Sequence, residues 1–239
     1  MTDDIKPTPR VALITAASQG IGAAIARQLA SDGYSVALLA RSERVKDVAA
    51  ELNGIGVAAS ITDGAALAEL VDRTLQRWGR IDALVNNTGH PAKGDLLALS
   101  DEAWRDGYQL ILESVIRLAR LVTPVMQRQR AGAIVNVSSY AALRPELDRP
   151  VSSVLRAALL AWTRLHAEYC APFGVRVNSV LPGFVDTYPV APEVVQSIPL
   201  GRPAAVAELA RFVAMLLSDN ASYLTGQSIL LDGGMVKTL

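Results

Sequence analysis

Cysteine and histidine are scarce: Cys170 is the one cysteine, with two histidines, in 239 residues. That excludes a disulfide framework and a cysteine-based zinc cluster, and it argues against a histidine-rich metal site. No sign of charge predominates. Lys+Arg and Asp+Glu both number 23, so the formal net charge is zero and there is no electrostatic footprint for nucleic acid or an anionic membrane surface. Long apolar runs are absent too. The longest uncharged stretch, Val11 to Ala26, is broken by Thr15, Ser18, Gln19 and two glycines. It is shorter than the roughly 20 apolar residues that cross a bilayer. The opening Met1-Thr2-Asp3-Asp4 is acidic with no apolar stretch behind it, so no secretory leader and a cytoplasmic location are expected.

What is present is a chain with 51% hydrophobic and 19% charged residues, long enough to bury a substantial core. Short β-rich runs fall at Val11–Thr15, Ser35–Ala40, Gly56–Ala59, Ala83–Asn86, Ala133–Ser138, Val175–Leu181 and Ser228–Leu231. Each is nearly all apolar rather than alternating, as strands covered on both faces require. Longer helical patterns lie between them, among them Gly20–Asp32, Asp63–Trp78, Asp101–Gln129 and Pro203–Ser218. Gly33, Gly79, Gly132 and Gly174 sit where a left-handed residue would close a helix. The alternation predicts one doubly wound α/β domain over 1–239, of Rossmann type. Its sheet would have seven strands, mostly or wholly parallel, with helices on both faces. Ligands in such a sheet bind beyond the C-terminal ends of the strands.

After the first run comes Thr15-Ala16-Ala17-Ser18-Gln19-Gly20-Ile21-Gly22, leading into a helix. Two glycines at a helix start let backbone N–H groups approach a phosphate, with the helix dipole assisting. This stretch resembles the opening motif of the short-chain dehydrogenase/reductase family, Thr-Gly-x-x-x-Gly-Ile-Gly, with Ala16 in place of the first glycine. Further matches are Asn86-Asn87-Thr88-Gly89, the strand ending in Ser138-Ser139, and Asn178 through Pro182-Gly183 to Thr187. The tail through Asp232-Gly233-Gly234 also fits, so the resemblance spans essentially the whole chain.

The resemblance implies a nicotinamide dinucleotide lying across the strand ends. Thr15, Ser18, Gln19, Gly20, Ile21 and Gly22 would cradle it, with Ser60, Ile61, Asn87 and Gly89 along its length and Pro182, Gly183 and Thr187 beside the nicotinamide. Arg41 directly follows the second run, where an arginine pairs with a 2′-phosphate. That favours NADP, with NAD as the alternative, although Gln19 stands where many NADP-using relatives carry a second basic residue. A lid over about residues 184–203, with Tyr188, Pro189, Val190, Val194, Val195 and Ile198, would close on an apolar small-molecule substrate. Relatives pair the helices that correspond to Asp101–Gln129 and to the one beginning near Ser152 across a two-fold axis, which implies a homo-oligomer, dimer or tetramer.

The family's catalytic pattern is only partly present. Counting from Ser139 and from Asn178 puts Ser152 at the position of the catalytic tyrosine and Arg156 at that of the lysine four residues on. Ile111 falls at the position of a water-anchoring asparagine. Ser139 remains as the residue that polarises a carbonyl. A serine hydroxyl has a shorter reach and a far higher pKa than a phenol, and a guanidinium cannot relay a proton. Replacement acids to weigh are Tyr188 in the lid, His90 after the fourth strand and Tyr140 beside Ser139. Tyr140 is expected to be packed, because adjacent strand residues point to opposite sides. Three functions follow from this pattern: an NADP(H)-dependent carbonyl/alcohol oxidoreductase with a non-standard site, a nucleotide-binding partner or sensor without turnover, or a non-redox enzyme that uses Ser139 and Arg156 on an anion.

Overall fold

The computed structural model describes residues 9–237, and the acidic opening Met1–Asp4 lies outside them. Seven strands form one sheet: β1 (Val11–Thr15), β2 (Ser35–Ala40), β3 (Ile55–Ala58), β4 (Ala83–Asn86), β5 (Gly132–Val137), β6 (Val175–Pro182) and β7 (Ser228–Leu231). Their order is β3-β2-β1-β4-β5-β6-β7, with every pair parallel. The helices are α1 (Gly20–Ser31), α2 (Arg44–Glu51), α3 (Gly64–Trp78), α4 (Asp101–Tyr108), α5 (Ser114–Gln129), α6 (Pro150–Cys170), α7 (Pro192–Ser197) and α8 (Val206–Leu217).

Successive strand residues feed two cores. Ala12, Ile14, Val36 and Leu38 pack with α1, α2 and α8, while Leu13, Ala37, Leu39 and Leu84 pack with α3 and α5. Burial on both faces explains the unbroken apolar runs of the central strands. The edges depart from that expectation: β3 alternates buried with half-buried residues, and β7 is half-buried throughout. The strand order reverses between β1 and β4, which opens a crevice above their C-terminal ends.

Several boundaries differ from the sequence reading. The stretch Asp101–Gln129 is not one regular helix, because a π-helical turn at Gln109–Glu113 separates α4 from α5. Ile111 sits in that turn, fully buried with Val115 and Leu159. The helix expected at Pro203–Ser218 begins at Val206, since the backbone of Ala205 is extended. Gly33, Gly79 and Gly174 are left-handed, but after α5 that conformation falls on Arg130 at φ 57°, not on Gly132. Gly132 instead opens β5, where a Cβ would stand 2.5 Å from Met126 Sδ. Close approach, not a left-handed backbone, requires glycine there.

On the buried side of α6, His166 Nε2 shares a 2.9 Å hydrogen bond with Thr123 Oγ1, while its Nδ1 has no partner. Burial pushes this imidazole down to about 4. An unfolded histidine titrates near ~6.5, so between the two values the unfolded chain binds more protons. The contribution is therefore complete above about 6.5 and lost as pH falls toward 4, by up to ~3 kcal/mol. Urea unfolding from pH 7 to 4.5 is expected to show this loss, and His166→Gln is expected to flatten it. Equal slopes in both proteins would show that His166 does not cause the acid lability.

Candidate active site

The turn after β1 is held from beneath. Thr15 Oγ1 donates to the Asn87 carbonyl at 2.7 Å and accepts from the Asn87 N–H at 2.9 Å, clamping the ends of β1 and β4 together. Thr15 is buried and supports the turn from below. Gly22 is buried in the same way under the turn, where a Cβ would stand 2.3 Å from the Ala16 carbonyl oxygen. Ala16 itself holds φ 49°, the left-handed region that strains any side chain with a Cβ. Asn87 Nδ2 reaches the Ala16 carbonyl oxygen at 3.4 Å.

Above this frame runs a groove of about 690 Å³, lined by Ser18, Gln19, Gly20 and Ile21 at the glycine turn. Arg41 and Ser42 line it at the end of β2, and Ser60 and Ile61 after β3. Asn87, Gly89 and Thr187 line it beyond β4 and under the lid. Arg44, which the sequence reading did not single out, extends its Nη1 to 3.5 Å from Gln19 Oε1, adding a second cation beside Arg41 at this mouth.

The groove continues into a cavity of about 520 Å³, and Ile21, Asn87, Thr88, His90, Thr187 and Tyr188 line both. Ser139, Ser152, Arg156, Pro182 and Gly183 line this second part. The structure therefore brings together Ser139, Ser152, Arg156 and Tyr188. Pro182 and Gly183 line this inner part of the cleft.

Ser139 follows β5, and its Oγ accepts from the Ala141 N–H at 3.2 Å, which leaves its own O–H free to donate. Ser152 Oγ is engaged by Arg156 Nε at 3.2 Å, and Arg156 Nη1 donates to the Val137 carbonyl at 3.1 Å. Arg156 is only 4% exposed, and burial lowers its pKa to about 10, so it is charged at neutral pH. Tyr140 is buried, but it lies in a 3-10 turn after the strand and lines the same cavity as Ser139 instead of pointing to the opposite side; its hydroxyl donates to Glu146 Oε1 at 2.7 Å. Burial first, then that carboxylate, push the phenol far above its ordinary value, so it is a poor proton donor. His90 is held below its ordinary value by partial burial and by the cations of Arg156, Lys93 and Arg149. Tyr188 is 63% exposed at the junction of groove and cavity.

Lys93 and Arg149 are site residues that sequence reasoning missed. Both lie in connections with no motif, and only the fold brings the loop after β4 and the entry to α6 to one cavity. The buried hydroxyls Thr88 Oγ1 and Ser138 Oγ have no hydrogen-bond partner among the described residues, and both residues line the cavity.

Fold and cleft together define the class: a doubly wound Rossmann-type protein with a phosphate-cradling turn at its switch point. A family profile described as Enoyl-(Acyl carrier protein) reductase matches residues 15–236. The 3-oxoacyl-(acyl-carrier-protein) reductase FabG of Salmonella typhimurium is 33% identical over 236 residues, covering 95% of this chain and 97% of that protein. The putative ketoacyl reductase of the monensin polyketide synthase of Streptomyces virginiae is 35% identical, covering 95% and 97%. Among solved structures, L-sorbose reductase of Gluconobacter frateurii, complexed with NADPH and L-sorbose, superimposes with a TM-score of 0.92 at 30% identity, covering 97% of this chain and 98% of that one. YwfH, described as an NADPH dependent reductase involved in bacilysin biosynthesis, gives a TM-score of 0.91 at 25% identity, covering 97% and 100%. The chain belongs to the short-chain dehydrogenase/reductase family.

Proposed function

We propose that this protein is an NADP(H)-dependent oxidoreductase that interconverts a carbonyl and an alcohol at a non-standard site. The observation that carries the reading is the continuity of the cleft. The turn at Ser18–Ile21 and Arg41 line a groove that opens, through a shared lining, on the cavity of Ser139, with Arg44 reaching Gln19 at its edge. The residues fit the cofactor: Gly20 at φ 54° and Gly22 under Ala16 give a turn that no larger side chains would permit. The helix-start N–H groups would hold its pyrophosphate, Arg41 and Arg44 its 2′-phosphate, and Thr187 and Asn87 its nicotinamide end. When bound, the reduced nicotinamide supplies a hydride to a carbonyl carbon.

Ser139 donates its free O–H to the carbonyl oxygen and stabilises the charge that develops there. Ser152 is taken up in positioning Arg156. Tyr188, at the junction of groove and cavity, holds the proton for the alkoxide, and His90 is the competing donor. The described residues 9–237 form one domain, with 184–203 as its lid, and the location is cytoplasmic. Among the described residues no helix is long and apolar enough to cross a membrane.

Titration while following nucleotide fluorescence tests the cofactor reading. NADPH is expected to bind at least tenfold tighter than NADH, and Arg41→Ala is expected to erase that preference. An unchanged preference would remove Arg41 from the 2′-phosphate site, and no binding of either nucleotide at millimolar concentration would sink the reading. A second reading, nucleotide binding without turnover, is favoured by Ser152 and Arg156 standing where the family places its proton relay.

The outer faces of α5 and α6 support the homo-oligomer. Leu165 and Tyr169 are well exposed beside Trp162, Ala119 and Pro124 along an apolar groove of about 470 Å³. Light scattering at micromolar concentration is expected to give a dimer or tetramer mass. A particle of 25.4 kDa would exclude both.

A further inference from the structure

The cavity over Ser139 has a one-sided charge. Lys93, Arg149 and Arg156 line it, and no aspartate or glutamate does. Arg149 is compensated from outside the lining, by Glu146 at 3.4 Å and Asp148 at 3.3 Å. Glu146 is itself occupied by the Tyr140 hydroxyl. Arg156 is different. It is almost wholly buried, its two hydrogen bonds go to the neutral acceptors Ser152 Oγ and the Val137 carbonyl, and it forms no ion pair with any described residue. A guanidinium carries five N–H donors in a planar fork. Those not used by Ser152 and Val137 have no acceptor among the described residues.

A buried cation without a counter-charge is costly, and evolution of a fold tolerates it where a ligand brings the missing anion. A ribose hydroxyl of the cofactor is neutral and would leave the charge uncompensated. The apolar substrate read from the lid accounts for Pro189, Val190 and Val194 in the lining of the cavity, but not for Lys93, Arg149 and Arg156 in the same lining. The position of the charge adds a constraint. Arg156 is anchored on the Val137 carbonyl, two residues before Ser139, and both residues line the same cavity.

We infer that the substrate is a carbonyl compound carrying a carboxylate next to the carbonyl, a 2-oxo acid with an apolar side chain. Its carboxylate takes the free donors of Arg156, its carbonyl oxygen takes the Ser139 hydroxyl, and its side chain lies under the lid. The inference rests on the carbonyl-reductase reading for the chemistry: hydride from NADPH adds to the carbonyl carbon, a proton adds to the oxygen, and a 2-hydroxy acid and NADP⁺ result. The carboxylate site itself can be tested without turnover.

Isothermal titration of the purified chain with phenylglyoxylate and with its methyl ester, with and without NADP⁺, separates the two. The acid is expected to bind at least 30-fold tighter than the ester. Arg156→Met is expected to abolish that preference, and Arg156→Lys to keep most of it. The comparison of acid with ester in the unaltered protein needs no variant to fold. Equal binding of acid and ester, or a preference for the ester, would overturn the carboxylate site. So would a preference that survives Arg156→Met. Acid binding in a protein that takes up neither NADPH nor NADH would sink the oxidoreductase reading and leave the carboxylate site standing.

Discussion

Ser152→Tyr combined with Arg156→Lys is expected to raise NADPH-dependent carbonyl reduction by about 10²–10⁴-fold, the usual worth of a positioned general acid. Ser152 lines the cavity over Ser139, so a phenol in its place would project into about 520 Å³ of open space. The lysine would lose the present tie from Arg156 Nε to Ser152 Oγ, but it would keep a cation at the same helical turn, four residues on. Stopped-flow or steady-state oxidation of NADPH with a panel of ketones and 2-oxo acids measures the gain. No gain on a substrate that the unaltered protein already reduces would show that a different acid is in use. The same conclusion follows if the unaltered protein turns over briskly, survives Ser139→Ala and is silenced by Tyr188→Phe or His90→Ala.

Restoring the asparagine of the family's pattern as well is not expected to help. Ile111 is fully buried against Val115 and Leu159 within the π-helical turn, so Ile111→Asn puts an amide into an apolar cluster. An unpartnered buried amide costs roughly 1–3 kcal/mol, enough to offset the benefit of an ordered water.

The fold was legible because its strongest signals are local. Unbroken apolar strands, glycines after helices and a glycine turn after β1 each carry their meaning within a few residues. The π turn was not legible, since Gln109–Glu113 keeps a helical hydrophobic pattern and differs only in backbone pairing. The dinucleotide side could be read because its residues follow strand ends in motif order. Thr15 and Gly22 show the limit of that reading. The motif places both at the turn, yet both are buried supports, a distinction that depends on which way each points. The cationic lining was invisible for another reason. Lys93, Arg149 and Arg156 are far apart in sequence, and an arginine at position 156 reads only as a lost lysine until its burial and missing counter-charge are known.

Gly22→Ala is expected to weaken nucleotide binding by about 100-fold or more, equivalent to roughly 3 kcal/mol. It is also expected to lower the stability of the free protein by about 1–3 kcal/mol, the usual cost of overpacking. The added methyl would stand 2.3 Å from the Ala16 carbonyl oxygen, 2.8 Å from its carbonyl carbon and 2.9 Å from Ala17 Cα. All three are backbone atoms, so no rotamer change relieves the contact, and the turn must lift away from α1. That movement pulls on the Asn87 amide at the Ala16 carbonyl and misplaces the N–H groups at the helix start. Ala16→Gly separates this cause from ordinary turn strain. Alone, it removes a Cβ from a φ of 49° and is expected to leave stability unchanged or raise it by up to ~1 kcal/mol. Combined with Gly22→Ala it is expected to rescue little, because the clash is with a main-chain carbonyl that Ala16→Gly leaves in the same place. Nucleotide fluorescence titration and urea unfolding of the two single variants and the double variant read the outcome. Full recovery in the double variant would show that the Ala16 methyl, not the backbone beneath it, fixes the geometry of the cradle.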